Sequence, residues 1–398
     1  YQMMGGATFD VTVNSGDVTQ EQTGNENNYG KGKVVYGKTP AQVLQDMSVA
    51  KDFEVKESIG VNDVAWTHRR TEDADIYFVS NQKEEAVNYN ALFRVDGKVP
   101  EIWNNETGKI EDASIWKSEN GRTSVNLKLE PLQSIFVVFR RLAQDVDPVA
   151  SISGGTDGVA YAEIKSDGLY LHAQQNDNYT LTTLSNQVYN VNVSDLPNAF
   201  TIEGSWDVTF PPNWGAPDKI TLPSLISLKN HSDKGVQYFS GTATYTKKFE
   251  ISGDMLGENK AIILDLGNVK NFAEVSVNGK NVGLLWKSPY IIDITKYLVV
   301  GENLLEIDVT NTWANRMIGD MQEPLDVSYG DFTFTSNGEP RGQALLSFPD
   351  WFINDTQRPS AGRYTFSTWN YYQATDPLPD SGLIGPVRII PEMIVKVY

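Results

Sequence analysis

Ala273-Glu274-Val275-Ser276-Val277-Asn278-Gly279-Lys280 is the stretch from which the fold is read. Ala273, Val275 and Val277 alternate with Glu274 and Ser276, so each set takes one face of a strand. Asn278-Gly279 then supplies two residues that tolerate positive φ, the signature of a type I′ hairpin. Val282, Leu284 and Trp286 read as the apolar face of the returning strand. Outward from this hairpin the period of two persists. Leu305-Glu306-Ile307-Asp308-Val309 alternates cleanly, and Ile76-Tyr77-Phe78-Val79 is a strand. Ala91 to Val95 leads into Asp96-Gly97, read as a hairpin turn; Asn120-Gly121 is another, followed by Val125, Leu127 and Leu129. Residues 135–139 form an apolar run short enough for a buried strand, and Tyr189 to Val193 is a further one.

One helix competes with this pattern. Thr39-Pro40-Ala41-Gln42 offers a cap, a proline at the first helical position and a capping box, with Val43, Leu44 and Met47 on one face. It follows the short strand Val34-Val35-Tyr36, which makes residues 1–55 look like the tail of an α/β domain. The first thirty residues read as loosely ordered or as a loop. The glycines at 30, 32 and 37 fit neither GxGxxG nor GxxxxGK[ST] and read as turn glycines. The expected architecture is mainly β: a short α/β remnant, a β-sandwich over 56–142, a linker with additional strands over 143–200, and a second sandwich over 201–398.

The chain has 398 residues, room for two or three domains at ~150 residues each. Its 33 Lys+Arg against 51 Asp+Glu give a net charge of −18. That balance repels phosphate backbones and anionic membranes, so no nucleic-acid partner is expected. No run approaches the ~18 apolar residues of a membrane span. Without cysteine there is neither a disulfide framework nor a thiolate metal site, and His68, His172 and His231 lack metal-ligand spacing. Tyr1-Gln2-Met3-Met4 shows no secretory leader, and the chain reads as a processed or excised fragment.

Glycoside hydrolysis needs two carboxyl groups held ~5–9.5 Å apart across a sugar. Glu101, Glu106 and Glu111 lie beside Gly and Asn and read as a solvated acidic edge. No GxSxG elbow exists, and the histidines stand in unremarkable contexts. Two clusters are richer. In Trp66-Thr67-His68-Arg69-Arg70, His68 and Arg69 either face a sugar or belong to a strand end whose Arg–Asp pairs, with Asp75, fix a turn. In the second, Trp286 and Tyr290 precede Asn311, Trp313, Asn315, Arg316 and Asp320. Aromatic rings stack on the C–H faces of a pyranose while amide and guanidinium donors take its hydroxyls. The alternative is a packing cluster that buries the indole and spends the asparagine on backbone groups.

Across these residues the ordered series Trp206–Phe210, Tyr238–Tyr245, Leu264–Val269, Ala273–Lys280, Trp286–Thr295, Gly301–Leu304, Asn311–Asp320 and Ser381–Val387 resembles the galactose-binding-like jelly roll of glycoside hydrolase family 2 relatives. It is most similar to the version at the C-terminus of family 106 α-L-rhamnosidases. Gly30–Gly37, His68–Arg70, Ala74–Gln82, Phe93–Val95 and Ser134–Phe139 are similar to that family's region after its catalytic barrel. The resemblance implies an inverting hydrolase of terminal L-rhamnose in plant glycans such as pectin. Its two catalytic carboxylates and a calcium ion would belong to a (β/α)8 barrel of ~250 residues that this chain does not accommodate. No catalytic residue therefore carries over, and no cofactor is expected in this chain.

The leading expectation is a non-catalytic accessory region that stabilises the barrel and grips glycan, in a periplasmic or extracellular protein. An independent carbohydrate-binding module and a purely structural sandwich pair are the rivals. The expected partners are a plant glycan and the catalytic barrel of the same polypeptide.

Overall fold

The computed structural model describes residues 26–29, 32–56, 63–143, 146–156, 160–165 and 167–398. It divides into two compact units, 1–54 and 55–398. The structure is mainly β, with antiparallel sheets throughout.

In the first unit, strands Glu26–Tyr29 and Gly32–Val35 form an antiparallel hairpin. The strand expected around Val34 is thus half of a hairpin, and part of the stretch read as loop is its partner. The rest of that stretch, residues 1–25 with Gly30, lies outside the described residues. Helix Pro40–Asp46 forms where its capping box requires: Gln42 N donates to Thr39 Oγ1 at 3.3 Å, and Thr39 N donates to Gln42 Oε1 at 2.8 Å. Leu44 and Met47 of its apolar face are exposed.

The second unit begins with a sandwich. One sheet runs Val64–Arg70, Asp75–Asn81, Ser134–Leu142, Lys98–Trp103, Ile110–Asp112; facing it are Val87–Phe93, Arg122–Leu129 and Trp116–Glu119. Alternation puts Tyr77, Val79, Phe93, Val125, Leu127, Val137 and Phe139 inside. Asn120-Gly121 is a true hairpin turn, with φ of 54° and 75° and Arg122 opposite Glu119. Asp96-Gly97 is not. Val87–Phe93 and Lys98–Trp103 belong to different sheets, so this dipeptide turns a crossover between layers.

The stretch 143–200, expected as a linker with additional strands, carries five strands and its own core. Gln144, Asp145 and residues 157–159, part of the glycine-rich stretch, lie outside the described residues. Val149–Ser153, Asp177–Thr183 and Val188–Val193 form one sheet, and Ala160–Lys165 and Gly168–Ala173 join the C-terminal strand Arg388–Lys396 in the other. Val149, Leu169, Leu171, Tyr179 and Leu181 pack between them.

The jelly roll follows. Its six-stranded sheet has Thr242–Ile251 and Gly301–Thr310 at the centre, paired over ten residues, with Phe272–Val277 and Lys280–Leu285 on one flank. Its other sheet is built on Lys260–Asp265 and Arg388–Lys396. Trp206, Val208, Tyr245, Leu264, Val275, Ile307 and Ile389 fill the space between. Arg388–Lys396 therefore serves two cores, pairing with Gly168–Ala173 in one and Lys260–Asp265 in the other.

The deciding hairpin is present. Val277 opposes Lys280, and Asn278 and Gly279 have φ of 52° and 72°. Its returning strand differs from expectation. Val275 opposes Gly283 and Ser276 opposes Asn281, so Val282 is an extra, bulged residue. Beyond the bulge the faces exchange. Leu285, opposite buried Ala273, packs on the core, whereas Leu284 and Trp286 are exposed.

Candidate functional site

Strand Gly301–Thr310 ends at Asn311, whose side chain is spent on backbone: it accepts from Gly241 N at 2.8 Å and donates to Phe239 O at 2.8 Å. That bracket fixes the chain's exit from the sheet. Trp313 then stands 45% exposed at the head of helix Ala314–Asp320. Sequence periodicity does not reveal this helix, because seven residues hold too few turns to show a 3.6-residue pattern.

The helix turns its polar residues inward. Asn315 is buried and donates to Pro379 O at 3.0 Å and Ser381 Oγ at 3.2 Å. Asp320, 1% exposed, accepts from Arg316 Nε at 2.9 Å through one oxygen. The other accepts from Tyr364 N, Thr365 N and Thr365 Oγ1 at 3.0, 2.6 and 2.6 Å. Arg316 is held from both sides, its guanidinium carbon 4.8 Å from the Tyr364 ring centre and 5.8 Å from that of Tyr238. Trp214, partly buried, lies 5.2 Å from Trp313 at 46°. Gly215, with φ of 87°, passes so near Arg316 and Tyr364 that a Cβ there would stand 3.0 Å from the Tyr364 ring and 3.2 Å from the Arg316 guanidinium. The outcome is an aromatic cluster in which Trp313 and Tyr364 are exposed and Trp214 is partly buried, with the buried Arg316 guanidinium against Tyr364. Trp214 and Tyr364 were not found from sequence, since they lie about a hundred and fifty residues apart and no local pattern joins them.

Behind this face the chain makes an excursion from residue 321 to 380, with strands Tyr329–Phe334, Pro340–Leu345 and Trp369–Asn370. Asp326 is bidentate with Arg358, at 2.6 and 3.1 Å, and Arg363 Nε lies 3.7 Å away. Burial acts to raise the Asp326 carboxyl, but Arg358 hydrogen bonds and the charges of Arg358 and Arg363 outweigh it and hold it below the ordinary range. A depressed carboxylate stabilises the fold above its unfolded pKa of ~4 and loses that contribution as pH falls through the folded value. Thermal midpoints recorded from pH 6 down to pH 3 should therefore fall more shallowly in Asp326→Asn than in the parent chain. Parallel acid limbs would refute this.

The remaining candidates do not join this face. Tyr290 is buried, its hydroxyl donating to Asn271 O at 2.6 Å. Trp286 is 54% exposed beside Lys287, which pairs with Glu106 at 2.6 Å. His68 stacks on Tyr77 at 3.9 Å with Nε2 3.3 Å from Asp75 Oδ1, while Arg69, the next residue on the strand, is exposed. Arg70 also reaches Asp75, at 3.4 Å. This is the strand-end pairing that competes with a sugar-facing role.

Two further readings, of Glu101 and His172, are corrected. Glu101 is not on a solvated edge: it is 1% exposed and bound by Arg140, Arg141 and Trp103 Nε1. His172, read as unremarkable, is buried between Glu392, 2.7 Å from Nδ1, and Glu163, 2.8 Å from Nε2. Among the described residues no three His, Asp or Glu side chains converge on a common metal position. No helix among them is long and apolar enough to cross a membrane.

Two family models match the chain. Residues 10–117 match the alpha-L-rhamnosidase model of glycoside hydrolase family 106, and residues 225–351 match the glycosyl hydrolase 2 galactose-binding domain-like model. Over these residues the chain is similar to family 106 α-L-rhamnosidases, and it carries a family 2-type galactose-binding-like domain. The solved rhamnosidase from Novosphingobium sp. PP1Y is similar to 92% of the chain at 34% identity, with a TM-score of 0.63, and the match covers 27% of that protein. A "Putative beta-glucuronidase" of Formosa agariphila is 27% identical over 87% of the chain and 44% of its own length. The chain spans less than half the length of either relative.

Proposed function

We propose that the chain is the accessory, carbohydrate-binding part of a secreted α-L-rhamnosidase-like hydrolase acting on plant glycans, and that the Trp214–Trp313–Tyr364 face contacts the sugar. The observation that carries this reading is the exposed Trp313 indole, set against the partly buried Trp214 and fixed by a helix whose Arg316 and Asp320 are bonded in the interior. Side chains already held in place lose little entropy when a ligand arrives. Arg316 and Asp320 act as positioning residues behind the face, and Asn311 sets the angle at which the chain reaches it. Trp286, His68 and Arg69 stand apart from it.

No carboxylate pair across a sugar-sized gap appears at this face, so hydrolysis is assigned to a barrel elsewhere in the polypeptide, with the calcium that the resemblance implies. An extracellular or periplasmic setting is read from the lack of cysteine and from the usual role of the family that the chain resembles. Titration of the chain with rhamnose-containing pectic oligosaccharides should give binding that Trp313→Ala weakens roughly tenfold, the loss of one stacked ring. The same chain should show no turnover of aryl α-L-rhamnosides. Absence of sugar binding would favour a purely structural sandwich assembly, and robust turnover would overturn the accessory role.

A further inference from the structure

We propose that the groove bounded by Thr333, Phe334, Arg341 and Trp369 is a second carbohydrate subsite, selective for a uronate, a pyranose that carries a carboxylate. It does not depend on the Trp214–Trp313 face. The groove is open and of about 430 Å³, within the ~300–1,000 Å³ typical of small-ligand sites.

Its floor is built rather than accidental. Trp369 is 38% exposed, yet its indole is fixed by Nε1 donating to Arg341 O at 3.0 Å. Beneath it lies Gly342, with φ of 117°, where a Cβ would stand 2.6 Å from Trp369 Nε1. Only glycine lets the ring settle against the strand. Ser367 Oγ donates to Trp369 O at 2.7 Å, and Asn370 Nδ2 donates to Gln343 Oε1 at 3.0 Å, which locks the short strand in register. Thr333 Oγ1 donates to Gly342 O at 3.0 Å. Phe334, 61% exposed, gives a second apolar surface. A pyranose presents C–H groups to such rings, and a rigid indole pays little entropy for stacking.

Arg341 supplies the selectivity. Its side chain is exposed, and among the described residues no carboxylate pairs with it, in a chain with 51 acidic residues against 33 basic ones. The other arginines of this excursion, Arg358 and Arg363, are engaged by Asp326. A planar guanidinium without a partner, beside an aromatic floor, matches a carboxylate bidentately and gains little from a neutral hydroxymethyl group.

The test is calorimetric titration of the intact chain at 0.15 M salt with trigalacturonate, and with galactotriose as the probe that differs only in lacking carboxylates. Trigalacturonate should bind at least tenfold more tightly. Arg341→Gln should reduce that preference to within about threefold, and Phe334→Ala, an exposed change that leaves the fold intact, should weaken binding of both probes. Lys248→Ala, which removes an equal charge on another sheet, should leave the preference unchanged. Trp369→Ala should abolish binding while leaving the thermal midpoint within a few degrees; if it unfolds the excursion, Phe334→Ala decides. Failure of trigalacturonate to bind, or an undiminished preference in Arg341→Gln, would overturn the proposal. Because the rhamnose-containing probes report on the other face, failure there would leave this result standing.

Discussion

Replacing Asp320 by alanine should cost about 3–5 kcal/mol of stability, because it leaves a buried charge uncompensated. Its carboxylate accepts four hydrogen bonds, from the Arg316 guanidinium, two backbone amides and the Thr365 hydroxyl. With the carboxylate gone, Arg316 remains 5% exposed with only two rings for company, and the Tyr364 and Thr365 amides lose their acceptor. Asp320→Asn keeps the shape and one of the two acceptor oxygens and should cost less than alanine. Denaturant unfolding followed by tryptophan fluorescence reports the difference, since Trp313 begins the same helix. A loss below 1 kcal/mol in Asp320→Ala would mean that Arg316 escapes to solvent, and the aromatic face would then have no rigid support. Sugar binding should fall with it.

The second large effect is expected at Trp206. Its indole is 1% exposed in the jelly-roll core, on a strand paired to both Lys219–Leu222 and Thr242–Ile251. Truncation to alanine removes the largest fully buried side chain and leaves a cavity that two ladders prevent from collapsing. The cost should be about 3–5 kcal/mol. Trp206→Phe fills most of the space and should recover more than half of it. Equal effects of the two substitutions in chemical denaturation would show that the indole's packing is not what holds the strand.

Much of the fold was legible because strands announce themselves locally. Alternation and Asn-Gly turns gave the hairpins at 120–121 and 278–279, and the capping box gave the helix at 40–46. Misreadings arose where a local signal serves two topologies. Asp96-Gly97 reverses the chain in either a hairpin or a crossover, and only the pairing of distant strands decides. The bulge at Val282 is likewise invisible until its partner strand is known, yet it exchanges the faces of Leu284 and Leu285. The site was less legible. Trp313, Asn315, Arg316 and Asp320 are adjacent in sequence and could be read as a group. Trp214 and Tyr364 reach that group, and Trp369 reaches its separate groove, from segments whose own patterns say nothing of either. Glu101 and His172 were misjudged for the same reason, since their partners lie about 40 and 220 residues away.

The strand Arg388–Lys396 sets a timetable for the whole molecule. Its partners, Gly168–Ala173 and Lys260–Asp265, leave the ribosome long before it does. At roughly 5–20 residues per second, the earlier of them waits about 10–40 s with one edge unsatisfied. A free edge of that kind recruits whatever extended chain is nearby. Two apolar interiors thus stay open until a single late segment closes them together, and the nascent polypeptide is most in need of a chaperone just before its synthesis of this region ends.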